Sequence, residues 1–399
     1  MAAIFHRTWI LFQQAFPFHT LSRDLKILFI SNLFASFGDG LIIFLLPNFI
    51  RDLYATPEDV GFLFSILAIA SAVTIIPGGF LADKYDLKKI LLLGWAIWVP
   101  VPLFFAFATH WAQLVPAMFF YGVLISGPAG SAYIVGCCEK RKMASTFAML
   151  ASAWGVGYMF APTVSGYIAE TVGMQFVFFL TAIFYLVTLL TLTRISSQRA
   201  SQTSSAPQVS PPASGDVAFK RSRIFLLSTL FAAVMFFLAL VFSLVPQFLE
   251  DIYLYDLSRI GILGSFTYFG GFTFSLFLGR IGDKYGKTTA ISASMLFVAT
   301  ALGFFIYFNN LVVLVFVSFL RGASFPMWAF IGATVGAIAP YATRARWISV
   351  VQTTAQVASI LAPYVGGVLY TASPRSPFLI TIVAMFLISF VAQIKPFKE

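Results

Sequence analysis

Gly79 to Leu91 reads G-F-L-A-D-K-Y-D-L-K-K-I-L, and 200 positions later Gly279 to Ile291 reads G-R-I-G-D-K-Y-G-K-T-T-A-I. Each copy lies between two long apolar runs. A charged loop that opens on glycine and joins apolar segments, present twice, points to a duplicated membrane protein. The register extends outward from it. Pro47-Asn-Phe-Ile-Arg-Asp-Leu-Tyr54 pairs with Pro246-Gln-Phe-Leu-Glu-Asp-Ile-Tyr253. Val60-Gly-Phe-Leu-Phe-Ser65 is echoed by Ile260-Gly-Ile-Leu-Gly-Ser265, and Ala161-Pro162 with Ser165-Gly166 by Ala362-Pro363 with Gly366-Gly367. All four pairs are offset by 199–201 positions, which excludes coincidence.

Composition places the chain in lipid. Of its 399 residues 59% are hydrophobic and 10% charged, far below the roughly one quarter charged of soluble domains. The apolar runs are continuous and near the length that crosses a bilayer as a helix. They lack the two-residue alternation of a membrane barrel. Twelve spans follow, at about 26–50, 60–80, 89–108, 111–136, 144–169, 174–194, 224–249, 260–281, 288–308, 311–338, 347–370 and 377–394. Residues 1–25 are then a cytoplasmic N-terminal segment, 26–194 a first six-helix bundle and 224–399 a second. Residues 195–223, rich in Ser and Pro, form a flexible cytoplasmic linker.

The net charge of +10 could suggest a nucleic-acid partner, but its placement argues otherwise. With the N-terminus in the cytoplasm, three of the 25 Lys and Arg (Arg51, Arg259, Arg375) fall outside and one, Arg321, within a span. The remainder face the cytoplasm, the bias that sets orientation in a membrane. Both termini are therefore expected on the inner side of a cell membrane. Cys137 and Cys138 are adjacent, with no metal-ligand spacing, and His6, His19 and His110 form no cluster. No phosphate-cradling Gly-rich loop exists, so direct ATP use is not expected. Neither a cofactor nor an enzymatic activity is indicated.

The layout resembles the major facilitator superfamily. The family loop between spans two and three runs Gly, any, Leu, small, Asp, Arg or Lys, any, Gly, Arg, Lys or Arg. The first copy supplies Gly79, Leu81, Ala82, Asp83, Lys84 and Lys88, and departs at Asp86 and Leu87. The second supplies Gly279, Asp283, Lys284, Gly286 and Lys287. The resemblance implies an all-α membrane fold of two pseudo-symmetric six-helix bundles that rock around a central cavity. The fifth span is also similar to the drug–proton antiporter branch, through Gly157, Ala161-Pro162 and Ser165-Gly166, with two family glycines replaced by small residues. Such spacing lets helices approach closely, and Pro363, Gly366 and Gly367 repeat it in the eleventh span. The charged loops have a physical task as well. Carboxylates are attracted to helix N-termini, so Asp83 could latch the start of the eleventh span near Arg344 and Arg346. Asp283 could latch the fifth near Lys140 to Lys142.

Two charges lie inside the spans. Asp39 falls midway through the first, about 20 Å from its inner end at 1.5 Å per residue. An ionised carboxylate there is costly unless it faces the bundle or water. Asn32, Ser36 and Asp39 share one helix face, and Gly38 and Gly40 leave the acid's surroundings open. Arg321, midway through the tenth span, shares its face with Ser318, Ser324, Phe325 and Trp328. The resemblance puts spans one, four, seven and ten on the cavity, and with them both charges. Where the family often carries Arg-Gly in span four this chain has Tyr121-Gly122, and Arg321-Gly322 occupies the symmetry-related place. Gln352, Gln356 and Ser359 add a polar stripe on span eleven, within a surface otherwise apolar and aromatic.

The expected function is proton-coupled efflux of small amphipathic or drug-like organic solutes by alternating access, with Asp39 exchanging the proton. The expected partners are that substrate, protons and the lipid bilayer, without nucleic acid, and the expected state is a monomer. Two alternatives stay open. One is a symporter or uniporter importing an organic anion anchored on Arg321. The other is a receptor or lipid-handling protein that uses the same fold without turnover.

Overall fold

The computed structural model describes residue 18 and residues 21–138, 143–199, 221–339 and 344–394. Among them the secondary structure is helical, apart from one isolated bridge between Asp86 and Arg199. Eleven helices are long and apolar enough to cross a membrane, and the shorter apolar helix Ser376–Val391 takes the twelfth place. The linker falls mostly in residues 200–220, outside the described part.

The helix starts are written in the sequence. Ser22 caps Arg23–Ile43, and Thr56 with Asp59 forms a reciprocal capping box at Pro57–Lys84. Both satisfy backbone N–H groups that have no partner in a first turn. Asp256 caps Leu257–Tyr285 in the same way. The breaks obey the repeat. The first span ends at Ile43 and resumes as Leu46–Asp52, and the seventh resumes as Leu244–Asp251. Pro47 sits in the first turn of its segment, where a missing N–H costs nothing. The fourth span breaks after Tyr121 and the tenth after Arg321, each at a glycine. Asp86, the departure from the family loop, caps Leu87–Trp98 by accepting from the Lys88 N–H at 2.9 Å. In the second copy Gly286, at φ 93°, makes the corresponding turn through a backbone conformation that glycine tolerates.

Within the halves, the first span packs on the fifth and the seventh on the eleventh. Between the halves, the fifth packs on the eighth and the second on the eleventh. These contacts close the face that the charge bias assigns to the exterior. A Cβ at Gly61 would strike the carbonyl oxygen of Pro363, and its repeat-mate Gly261 that of Pro162. Gly166 and Gly367 likewise lie against the backbone of Leu257 and Pro57. Side chains complete the closure. Asn48 Nδ2 donates to the Pro246 carbonyl at 3.0 Å and to Glu250. Arg51 pairs with Asp251 at 3.2 Å, and the Tyr370 hydroxyl donates to the same carboxylate at 3.1 Å. On the opposite face the space beside Gly79 and Gly279 is open. The conformation is closed on the Arg51 side.

Candidate functional site

Asp39 is 5% exposed and belongs to a buried cluster of phenols. Tyr121 of the fourth span and Tyr185 of the sixth donate to Oδ1 at 2.5 and 2.9 Å. Tyr158 of the fifth donates to Oδ2. Three neutral donors replace the water that a carboxylate loses on burial. The glycines beside Asp39 do the reverse of what the sequence suggests. They leave no open space, because a Cβ on Gly38 would meet Phe184 and one on Gly40 would meet Ala161. They let the fifth and sixth spans close on the acid. Aromatic rings of the third span hold the phenols in turn. Trp98 lies 5.7 Å from Tyr121 and Trp95 lies 5.5 Å from Tyr185, centroid to centroid. Trp98 is itself anchored by its indole N–H to the Val123 carbonyl at 2.8 Å.

The polar stripe of the first span separates by role. Ser36 donates to the carbonyls of Leu33 and Ala153, and is packed against Gly157. Asn32 does not bond to Asp39.

Arg321 stands elsewhere. It lines a cavity of about 370 Å³ whose wall belongs to the second half except for Phe44. Ser324, Trp328 and Gln356 share this wall, while Gln352 and Asp39 do not. The resemblance placed both charges on one cavity, and only Arg321 is there. The two are not paired as an ion pair. Asp39 sits in the first bundle behind a stack of rings: Tyr158 lies parallel to Tyr268 at 4.9 Å, and Tyr268 lines the cavity. The stack is the physical connection between the buried acid and the cavity.

Asp83 and Asp283 of the repeated loops are exposed and form no ion pair among the described residues. Lys84 and Lys284 each lie over the ring of the next residue, Tyr85 and Tyr285. The expected latch partners Lys140 to Lys142, and the side chains of Arg344 and Arg346, lie outside the described residues. Gly366 packs on the Leu240 carbonyl of the seventh span. Among the described residues no group of His, Cys, Asp and Glu could hold a metal.

Tyr158, Tyr185 and Tyr268 belong to the candidate site and are not singled out by the sequence alone. Their signal was a phenol placed mid-span in the same half as, or facing, a lone intramembrane acid.

The sequence profile described as Major Facilitator Superfamily matches residues 28–258 and 239–396, which together take in both halves. The chain belongs to that superfamily. Within it, the chain is 25% identical over 177 residues to Multidrug resistance protein 2 of Bacillus subtilis (strain 168), covering 42% of this chain and 43% of that one. The match therefore spans under half of the Bacillus relative. Quinolone resistance protein NorA of Staphylococcus aureus (strain COL) is 22% identical over 311 residues, 77% of this chain and 79% of its own. Among solved superfamily structures, nucleoside transporter NupG superposes with a TM-score of 0.76 at 15% identity, covering 93% of this chain and 98% of its own. A bacterial homologue of the iron transporter ferroportin, in an inward-facing state, gives 0.70 at 15%, covering 93% and 98%. These superpositions establish the two-bundle fold. This facilitator is a multi-pass membrane transporter.

Proposed function

We propose that this facilitator exports small amphipathic organic solutes across the cell membrane and draws its energy from protons entering through Asp39. The observation that carries the reading is the Tyr158–Tyr268 stack, which joins a buried carboxyl group in one bundle to an apolar, aromatic cavity in the other. A cavity of this kind suits amphipathic ligands better than sugars, because most of its wall is apolar and its polar groups are gathered around Arg321. The Bacillus and Staphylococcus relatives, named for resistance to drugs and to quinolones, support export as the direction.

The geometry suggests how coupling works. With the outer face closed, the cavity takes ligand from the cytoplasmic side. The ionised Asp39 holds three phenol donors and so fixes Tyr158 against Tyr268. A proton arriving on one carboxylate oxygen turns that oxygen from acceptor to donor, and its phenol must either turn to accept the new O–H or let go. If the released phenol is Tyr158, the stack that forms part of the cavity wall loosens at the same step. One proton per cycle is a usable force, since a membrane potential contributes about 2.3 kcal/mol per charge per 100 mV.

The test uses inverted membrane vesicles carrying the full chain and a lipophilic fluorescent dye. A pH gradient, acid inside, should drive dye accumulation and collapse as dye enters. Asp39→Asn should leave dye binding in place and abolish accumulation. Continued accumulation against a gradient by Asp39→Asn would remove Asp39 from the coupling step. Movement of dye and protons in the same direction would establish import instead.

A further inference from the structure

We infer that the cavity's ligand is an amphipathic organic monoanion, with its carboxylate, or an equally planar anionic head, seated on Arg321. This deepens the export reading and rests on its assignment of the cavity as the transport site.

The guanidinium is the observation that points there. Arg321 carries five N–H donors, yet it makes no hydrogen bond or ion pair among the described residues. The ring of Phe305 lies 5.9 Å from the guanidinium carbon. A cation within a span normally pairs with an acid or with backbone carbonyls. Here the available acid is committed elsewhere, because three phenols occupy Asp39. No carboxylate lines the cavity. The fixed positive charge thus has no internal counterion among the described residues, and the cavity it faces is the place where one can come and go.

The other polar groups agree in sign. Thr267 and Ser359 spend their hydroxyl protons on the Leu263 and Gln356 carbonyls. The hydroxyls of Ser324 and Tyr268 and the side-chain amide of Gln356 line the same cavity and make no hydrogen bond to the protein among the described residues. With Arg321 they present a donor-rich corner to a ligand rich in acceptors. A guanidinium fork matches the two oxygens of a carboxylate. The remaining wall, including Phe242, Leu302, Phe325 and Trp328, is apolar and requires an apolar body. A single cation suits a single negative charge. A cationic ligand would meet Arg321 with no acid on the wall to offset it.

The test is equilibrium binding of matched ligands to the purified full-length carrier at neutral pH, by calorimetry. The probes are naphthylacetate, neutral naphthylacetamide and cationic naphthylethylamine, with decanoate as a second carboxylate. Naphthylacetate should bind about ten- to a hundredfold more tightly than the amide, the ratio that a hydrogen bond to a charged group supplies. The amine should bind more weakly than the amide. Arg321→Gln should erase the preference. Arg321→Lys keeps the charge and loses the fork, so its preference should shrink without vanishing, which decides the matter if Arg321→Gln does not fold. An amide or amine that matches the acetate would overturn the inference. So would an unchanged preference in both variants, or failure of both carboxylates to bind. Binding is blind to direction and to protons. A carrier that fails the vesicle test for export can still show this order of affinities, and one that passes can still invert it.

Discussion

Asp39 has three donors, and they are not equivalent. Tyr185 is fully buried and meets Asp39 away from the cavity, whereas Tyr158 carries the contact to Tyr268. Removing the Tyr185 hydroxyl leaves a buried acceptor short of a partner, at a cost of about 1.5–3 kcal/mol for a bond to a charged group. Tyr185→Phe should therefore lower the thermal transition of the purified carrier measurably. Tyr158→Phe keeps the ring and the stack but cuts the bond that ties the stack to the acid. It should slow proton-driven dye accumulation several-fold while the affinity for dye stays unchanged. Equal transport loss in both variants would mean that the phenols act together on the stability of Asp39 alone, and that Tyr158 has no separate part in coupling.

At the scale of the helices, the outer closure rests on backbone approach more than on charge. The Arg51–Asp251 pair is about one quarter exposed on each side, and such pairs contribute roughly 0–1 kcal/mol. The glycine contacts are of another kind, since no side chain at Gly61 or Gly261 can coexist with the carbonyls of Pro363 and Pro162. Gly61→Leu should disfavour this conformation by about 1–3 kcal/mol, the usual cost of overpacking. Every 1.4 kcal/mol shifts the balance of outward- and inward-facing forms tenfold. The reporter is Asn48→Cys, which is buried beneath the closed face as Asn. A membrane-impermeant maleimide added from outside should label it slowly alone and much faster together with Gly61→Leu. Arg51→Gln should quicken labelling less. If Arg51→Gln quickens it more, the ion pair and not the glycine contact holds the face shut. The closure is also the part of the repeat whose purpose the sequence left unread. The ends of spans one and seven matched residue by residue, but only their approach in space shows Asn48 reaching across to Pro246.

At the scale of the whole molecule, the fold was legible because its determinants are local. Span length, the placement of Lys and Arg and the twice-written loop each lie within short stretches of chain. The site was legible only in part. Asp39 and Arg321 declare themselves as charges in apolar runs, whereas the convergence of Tyr121, Tyr158 and Tyr185 depends on how each helix is turned about its axis. Runs that are apolar all round do not encode that rotation. The division of labour that results, with the acid in one bundle and the cation and cavity in the other, has an electrical consequence. If a monoanion leaves as one proton enters, two positive charges move inward per cycle, and an inside-negative potential favours both movements. Each contributes about 2.3 kcal/mol per 100 mV. A neutral ligand would move one charge and gain half as much. Proteoliposomes loaded with naphthylacetate or naphthylacetamide separate the cases, once flux from protein-free vesicles is subtracted. An imposed inside-negative potassium potential should accelerate carrier-mediated efflux of both, and that of the acetate more steeply. Equal voltage dependence would mean that the negative charge of the acetate does not cross with it. Arg321 would then be a fixed counter-charge to Asp39 acting through the stack, and no anchor for the ligand.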